Sequence, residues 1–148
     1  MTQCLPFFVY GTLRSGQRNY ARLLAGRTVS EHPATLAGGT MYDSGGFPYL
    51  IRTDGQTDGQ IVGNLMEVGE ADFDEVLATL DRLEGYDPDS ARNHYNRIVV
   101  PVTTMDAETV EAYTYVADPS MYDAIRTRLP LIESGDWVKD GSSRPASG

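Results

Sequence analysis

The chain is poor in several things, and each scarcity closes off a class of function. It holds one cysteine, Cys4, in 148 residues. A lone cysteine excludes an internal disulfide framework and any cysteine-rich metal site. With no base assignable beside it, Cys4 reads as a small residue at the entrance to a first strand rather than a nucleophile. Basic residues are few, 12 Lys plus Arg against 21 Asp plus Glu, for a formal charge of −9. Such a surface repels nucleic-acid phosphates, so no nucleic-acid partner is expected. It is compatible with a cationic or amine-bearing substrate, although a solvated acidic surface is the commoner explanation of such a balance. Long apolar runs are missing too: the longest, such as Leu5 to Tyr10, are too short to cross a bilayer. No basic stretch leads into an apolar segment at Met1-Thr2-Gln3-Cys4, so a soluble, cytoplasmic protein without a membrane partner is expected, as a monomer or weak homodimer.

What is present points to one α+β domain. Leu5-Pro6-Phe7-Phe8-Val9-Tyr10 reads as a buried strand stopped at Gly11. A loop follows to about Gln17, then a short helix through Tyr20, Leu23 and Leu24, closed near Gly26. From Thr28 to Val68, glycines punctuate short apolar runs, the pattern of a meander of strands and turns. Phe73, Val76, Leu77, Leu80 and Leu83 fall on one face of a helix expected over Glu70 to Glu84, ended by Gly85 and Pro88. Ile98 to Val102 and Val110 to Val116 read as a strand pair around Asp106-Ala107-Glu108, and Tyr122, Ile125 and Leu129 allow one more short helix. The domain is expected over residues 1–138, with a Gly, Ser and Pro-rich tail over 139–148 expected to be disordered. Strands around one main helix imply a small barrel.

On a wheel of about 100° per residue, Glu84 lies among Phe73, Leu77 and Leu80, while Asp81 and Arg82 turn progressively away. An acid on the core face at a helix C-terminus is disfavoured as an anion by desolvation and by the helix dipole, so its pKa is expected to rise. Such a carboxyl can take and return a proton near neutrality. The other reading of the same spacing is a helix that frays at Gly85 and releases Glu84 to solvent. Val9-Tyr10-Gly11-Thr12-Leu13-Arg14-Ser15-Gly16 is a strand followed by a glycine-bounded turn, able to aim backbone N–H groups at a carboxylate or an oxyanion, or to serve as a plain connection. Gly11 and Gly16 imitate phosphate-loop spacing, but Gln17 and Arg18 stand where Lys and Ser or Thr are required. Asp87-Pro88-Asp89 lacks the Gly and closing Glu of a calcium loop, His32 and His94 form no ligand pair, and no G-x-S-x-G elbow anchors a triad. No metal or organic cofactor is expected.

Tyr10-Gly11-Thr12-Leu13-Arg14 with Asn19, Leu80-Asp81-Arg82-Leu83-Glu84-Gly85-Tyr86, and Tyr95-Asn96-Arg97 occur in the order of the Y-G-[ST]-L, L-D-x-[LFI]-E-G and Y-x-R segments of a known family. With Gly46-Phe47-Pro48-Tyr49 and Ser134-Gly135-Asp136-Trp137, the chain resembles γ-glutamylcyclotransferase-like (AIG2-like, butirosin-type) proteins from about Pro6 to Trp137. The resemblance implies a compact mixed β-barrel with flanking helices, in which Glu84 faces the loop of Tyr10, Gly11, Thr12 and Leu13 across a cavity. Tyr49, Tyr95, Arg97 and Tyr115 are implied as further substrate-binding or supporting groups, with Tyr95 and Arg97 alternatively a strand start tied to its neighbours. It also implies a small γ-glutamyl substrate whose α-amine attacks its own γ-carbonyl, releasing 5-oxoproline and an amine. Two other functions keep the same residues: a non-catalytic module binding a small carboxylate, and an amide hydrolase using Glu84 and water.

Overall fold

In a computed structural model, the structure describes residues 5–11, 13, 26–44, 48–52, 60–87, 95–132 and 135–136. The short helix expected near Tyr20 and the tail over 139–148 lie outside the described residues. The elements run β1 (Phe7–Val9), β2 (Thr28–Ala37), β3 (Gly39–Asp43), β4 (Pro48–Arg52), β5 (Gln60–Val68), α1 (Glu70–Glu84), β6 (Tyr95–Thr104), β7 (Thr109–Ala117), a 3₁₀ turn (Pro119–Met121) and α2 (Tyr122–Arg128). The main helix therefore has the bounds its periodicity predicts. The strand pair around Asp106 is longer than its apolar runs, because β6 and β7 stay in register from Tyr95↔Ala117 to Thr103↔Thr109.

Five strands close a mixed barrel in the order β1-β5-β2-β6-β7, and β3 and β4 form a separate hairpin with Tyr42 opposite Tyr49. Four of the barrel's neighbour pairs are antiparallel. The fifth is β1 beside β7, parallel, with Phe7 opposite Tyr113. The short β1 is held at this seam by the Tyr113 N–H donating to Pro6 O (2.9 Å) and the Thr114 hydroxyl donating to Phe8 O (2.9 Å).

Strand alternation sends neighbouring side chains to two cores. Phe8, Leu36, Ile61, Leu65, Val100 and Ala112 belong to one. Phe7, Met66 and Tyr113 join Phe73, Val76, Leu77 and Leu80 of α1 in the other. Aromatic packing of Phe7 on Phe73 (ring centroids 5.7 Å) and on Tyr113 (5.8 Å) seats α1 against the seam. The last turn of α1 is thereby brought to the end of β1. Among the described residues, no helix is long and apolar enough to cross a membrane.

Candidate active site

The alternative that α1 frays before Glu84 is answered by how the helix ends. Gly85 takes the left-handed conformation (φ 68°), its N–H donates to Arg82 O, and the Tyr86 N–H donates back to Asp81 O at 2.8 Å. This paired closure keeps the last turn wound, and only glycine adopts that conformation without strain. Glu84 then follows Leu80 by one turn, toward the core. Leu83, expected on the buried face, is instead 37% exposed. The helix presents its acid inward and its leucine outward.

Glu84 lines a cleft with Phe8, Val9 and Tyr10 at the end of β1, Gly11 and Leu13 of the following turn, Pro48, Tyr95 and Tyr115. None of these lining residues is cationic. Burial raises the Glu84 carboxyl from its ordinary value near 4.5 to about 7. The same desolvation pushes the phenols of Tyr10, Tyr95 and Tyr115 upward, and the Glu84 charge adds to the rise at each. At neutral pH the tyrosines are neutral, which leaves Glu84 as the group in the cleft poised to exchange a proton.

The hydroxyl hydrogens of those three tyrosines are already committed. Tyr10 donates to Tyr115 O, Tyr95 donates to Pro48 O at 2.8 Å, and Tyr115 donates to Asp81 Oδ1 at 2.6 Å. A phenol that has given its hydrogen away offers only lone pairs. The tyrosine wall therefore presents acceptors, beside an acidic group.

A family model described as gamma-glutamyl cyclotransferase, AIG2-like, matches residues 7–139, nearly the whole chain. The chain belongs to this family. It is 33% identical over 132 residues to the gamma-L-glutamyl-butirosin B gamma-glutamyl cyclotransferase of Niallia circulans, a match covering 88% of this chain and 73% of that protein. It is 40% identical over 101 residues to a protein of Halalkalibacterium halodurans named for gamma-glutamylcyclotransferase, covering 68% of this chain and 78% of the other. Among solved structures, a mouse AIG2-like protein shares the fold, with a TM-score of 0.62 at 23% identity over 91% of this chain and 90% of that one. A solution structure from Arabidopsis thaliana matches at 30% identity and a TM-score of 0.57, over 82% and 69% of the two chains. Membership makes the protein an enzyme of the cyclotransferase class.

In this cyclotransferase fold the residues singled out in the sequence divide into two groups. Glu84, Tyr10, Gly11, Leu13, Tyr95 and Tyr115 meet at the cleft. Thr12 lies outside the described residues. Tyr49 stands behind the wall, its ring stacked on Tyr95 (centroids 5.4 Å, planes 24° apart). Arg97 lies off the cleft lining, packed over the rings of Tyr86 (5.2 Å) and Tyr113 (5.3 Å) and paired with Asp81 through Nη1–Oδ2 at 2.5 Å. Asp81 is the residue that sequence reasoning passed over. The wheel turns it away from the apolar stripe, yet its side chain is only 18% exposed, because β6 and β7 reach it from beyond the helix. Its place in the L-D-x-[LFI]-E-G segment and its three-residue spacing from Glu84 were the available signals. Among the described residues, no three His, Cys, Asp or Glu side chains gather as metal ligands.

Proposed function

We propose that the protein cleaves a γ-glutamyl amide by intramolecular attack, releasing 5-oxoproline and a free amine. The observation that carries this reading is a carboxyl raised to about 7 by burial, in a cleft shared with the Tyr10-Gly11-Leu13 turn. Glu84 as carboxylate takes a proton from the substrate's α-ammonium group. The freed amine attacks the γ-carbonyl carbon, a C–N bond forms, and a five-membered ring closes. Collapse of the tetrahedral species breaks the original amide C–N bond as Glu84 returns its proton to the departing amine. The ring nitrogen then sheds its second proton through the same carboxylate, leaving the lactam and the amine as an ammonium ion. No water is consumed. A proton shuttle of this kind needs an acid near the working pH, which desolvation supplies.

Placement of the substrate follows from the same hydrogen-bond accounting. The acceptor wall of Tyr95, Tyr115 and Glu84 suits the α-ammonium end. The negative end, α-carboxylate or oxyanion, needs donors; no cation is found among the described lining residues, and backbone N–H groups of the Gly11 to Leu13 turn suit that role. An amine-bearing leaving group suits the net charge of −9 and the butirosin named for the Niallia circulans relative.

The test is product identity. The purified protein is incubated with a panel of γ-glutamyl amides that includes amino acids, polyamines and aminoglycosides, and the products are separated by mass. Appearance of 5-oxoproline with stoichiometric amine is expected. Free glutamate in its place would show hydrolysis by water and overturn the cyclisation.

A further inference from the structure

The Asp81 carboxylate joins three elements at one point. It sits in the last turn of α1 and accepts the Arg97 guanidinium of β6 on Oδ2 (2.5 Å) and the Tyr115 hydroxyl of β7 on Oδ1 (2.6 Å). Both members of the ion pair are largely covered, with side chains 19% and 18% exposed for Arg97 and Asp81. Arg97 is further enclosed by the rings of Tyr86, just past the helix end, and Tyr113. Tyr115, one of the three groups, lines the cleft itself. We propose that Asp81 is a positioning residue for Glu84: it ties the final helical turn to β6 and β7, fixes the Tyr115 ring at the cleft, and cancels the Arg97 charge beside the proton-transferring carboxyl.

Cancellation is what makes the pair more than a clamp. Side chains three apart on a helix are neighbours, so Asp81 stands close to Glu84, with Arg97 immediately behind it. A lone guanidinium there stabilises the Glu84 anion, and a lone Asp81 carboxylate opposes it. With the pair intact, burial is the cause of the Glu84 shift. Among the described residues, the other titratable groups that line the cleft with Glu84 are the phenols of Tyr10 at the end of β1, Tyr95 on β6 and Tyr115 on β7, all neutral at the pH in question. Breaking the pair from its two sides therefore moves the Glu84 titration in opposite directions. Loss of a purely mechanical clamp has no reason to do so.

This role rests on Glu84 being the proton shuttle, but it is tested by a measurement that needs no turnover. The side-chain carboxyl of Glu84 is followed by ¹³C NMR against pH in the parent, Asp81→Asn, Arg97→Gln and the double variant, with Glu84→Gln used to assign the signal. Asp81→Asn is expected to lower the Glu84 midpoint by roughly half a unit to one unit, Arg97→Gln to raise it by a similar amount, and the double variant to return near the parent value. Arg97→Lys keeps the charge and is expected to leave the midpoint in place, which also covers the case in which Asp81→Asn folds poorly. Where a γ-glutamyl amide is turned over, the midpoint of the rate profile moves with the NMR midpoint. A parent that gives no 5-oxoproline while the opposed shifts are present defeats the cyclisation and leaves the positioning role standing. Glu84 midpoints that stay together, or move the same way, in Asp81→Asn and Arg97→Gln overturn the proposal.

Discussion

Glu84 carries the same carboxyl as Glu70 and Glu75, but those two lie exposed on the outer side of α1, whereas Glu84 is turned into a cleft walled by aromatic rings. Water's withdrawal from that one position separates a solvated charge from a proton shuttle. Glu84→Gln keeps the volume and removes the exchangeable proton, so turnover of a γ-glutamyl amide is expected to fall by roughly 10² to 10⁴, measured as initial rate at saturating substrate. Its effect on stability has a defined sign. A folded-state value near 7 lies above the ordinary value near 4.5, so the neutral acid is the form the fold favours. The stability this contributes is complete below pH 4.5 and is lost as pH rises through 7. Relative to the parent, the Gln variant should therefore gain melting temperature progressively across that window and hold a constant difference below it. Thermal melts at a series of pH values read this directly; a gap that widens toward acid pH would show Glu84 to be stabilised as an anion.

At the scale of elements, the cleft depends on how closely β5 lets β1 approach. A Cβ built on Gly63 would lie 2.4 Å from Val9 O and 2.8 Å from the Phe8 ring, so any side chain there collides with the strand that leads into Tyr10 and Gly11. Val9 O is backbone and cannot yield without moving β1. Gly63→Ala is expected to cost roughly 1–3 kcal/mol, read by urea unfolding, and to lower turnover by displacing the end of β1 from Glu84. A variant with unchanged stability and rate would mean that β1 has slack the geometry does not show. The β4 edge is tied to the tyrosine wall through Tyr95 donating to Pro48 O at 2.8 Å.

Across the whole molecule, a barrel whose strand order departs from chain order brings distant residues together while the surface stays strongly acidic. A formal charge of −9 on a 148-residue chain disfavours compaction through self-repulsion, an effect that salt screens. Raising sodium chloride from about 20 mM to about 200 mM at pH 8 shortens the Debye length about threefold and is expected to raise the melting temperature. A fall in melting temperature would mean that attractive pairs such as Arg27–Glu75 (2.9 Å) outweigh the repulsion.

The sequence by itself determined what local repetition can encode. The spacing of Phe73, Val76, Leu77 and Leu80 with Gly85 behind them marked α1 and its end, apolar runs around a polar turn marked β6 and β7, and the helical wheel left Glu84 between an inner face and a frayed end, which the wound last turn decided. These features need only neighbours along the chain, so a linear pattern carries them. Tertiary structure alone decided that Leu83 faces out, that Tyr49 stands behind Tyr95, that Arg97 pairs off the cleft, and that Asp81 is covered. It also decided the closure of the barrel by a parallel β1–β7 seam, which joins Phe7 to Tyr113. Desolvation and ion pairing depend on groups that the fold delivers from the end of β1, from β4, from β6 and from β7, and their approach is a property of three-dimensional packing with no period in the sequence to announce it.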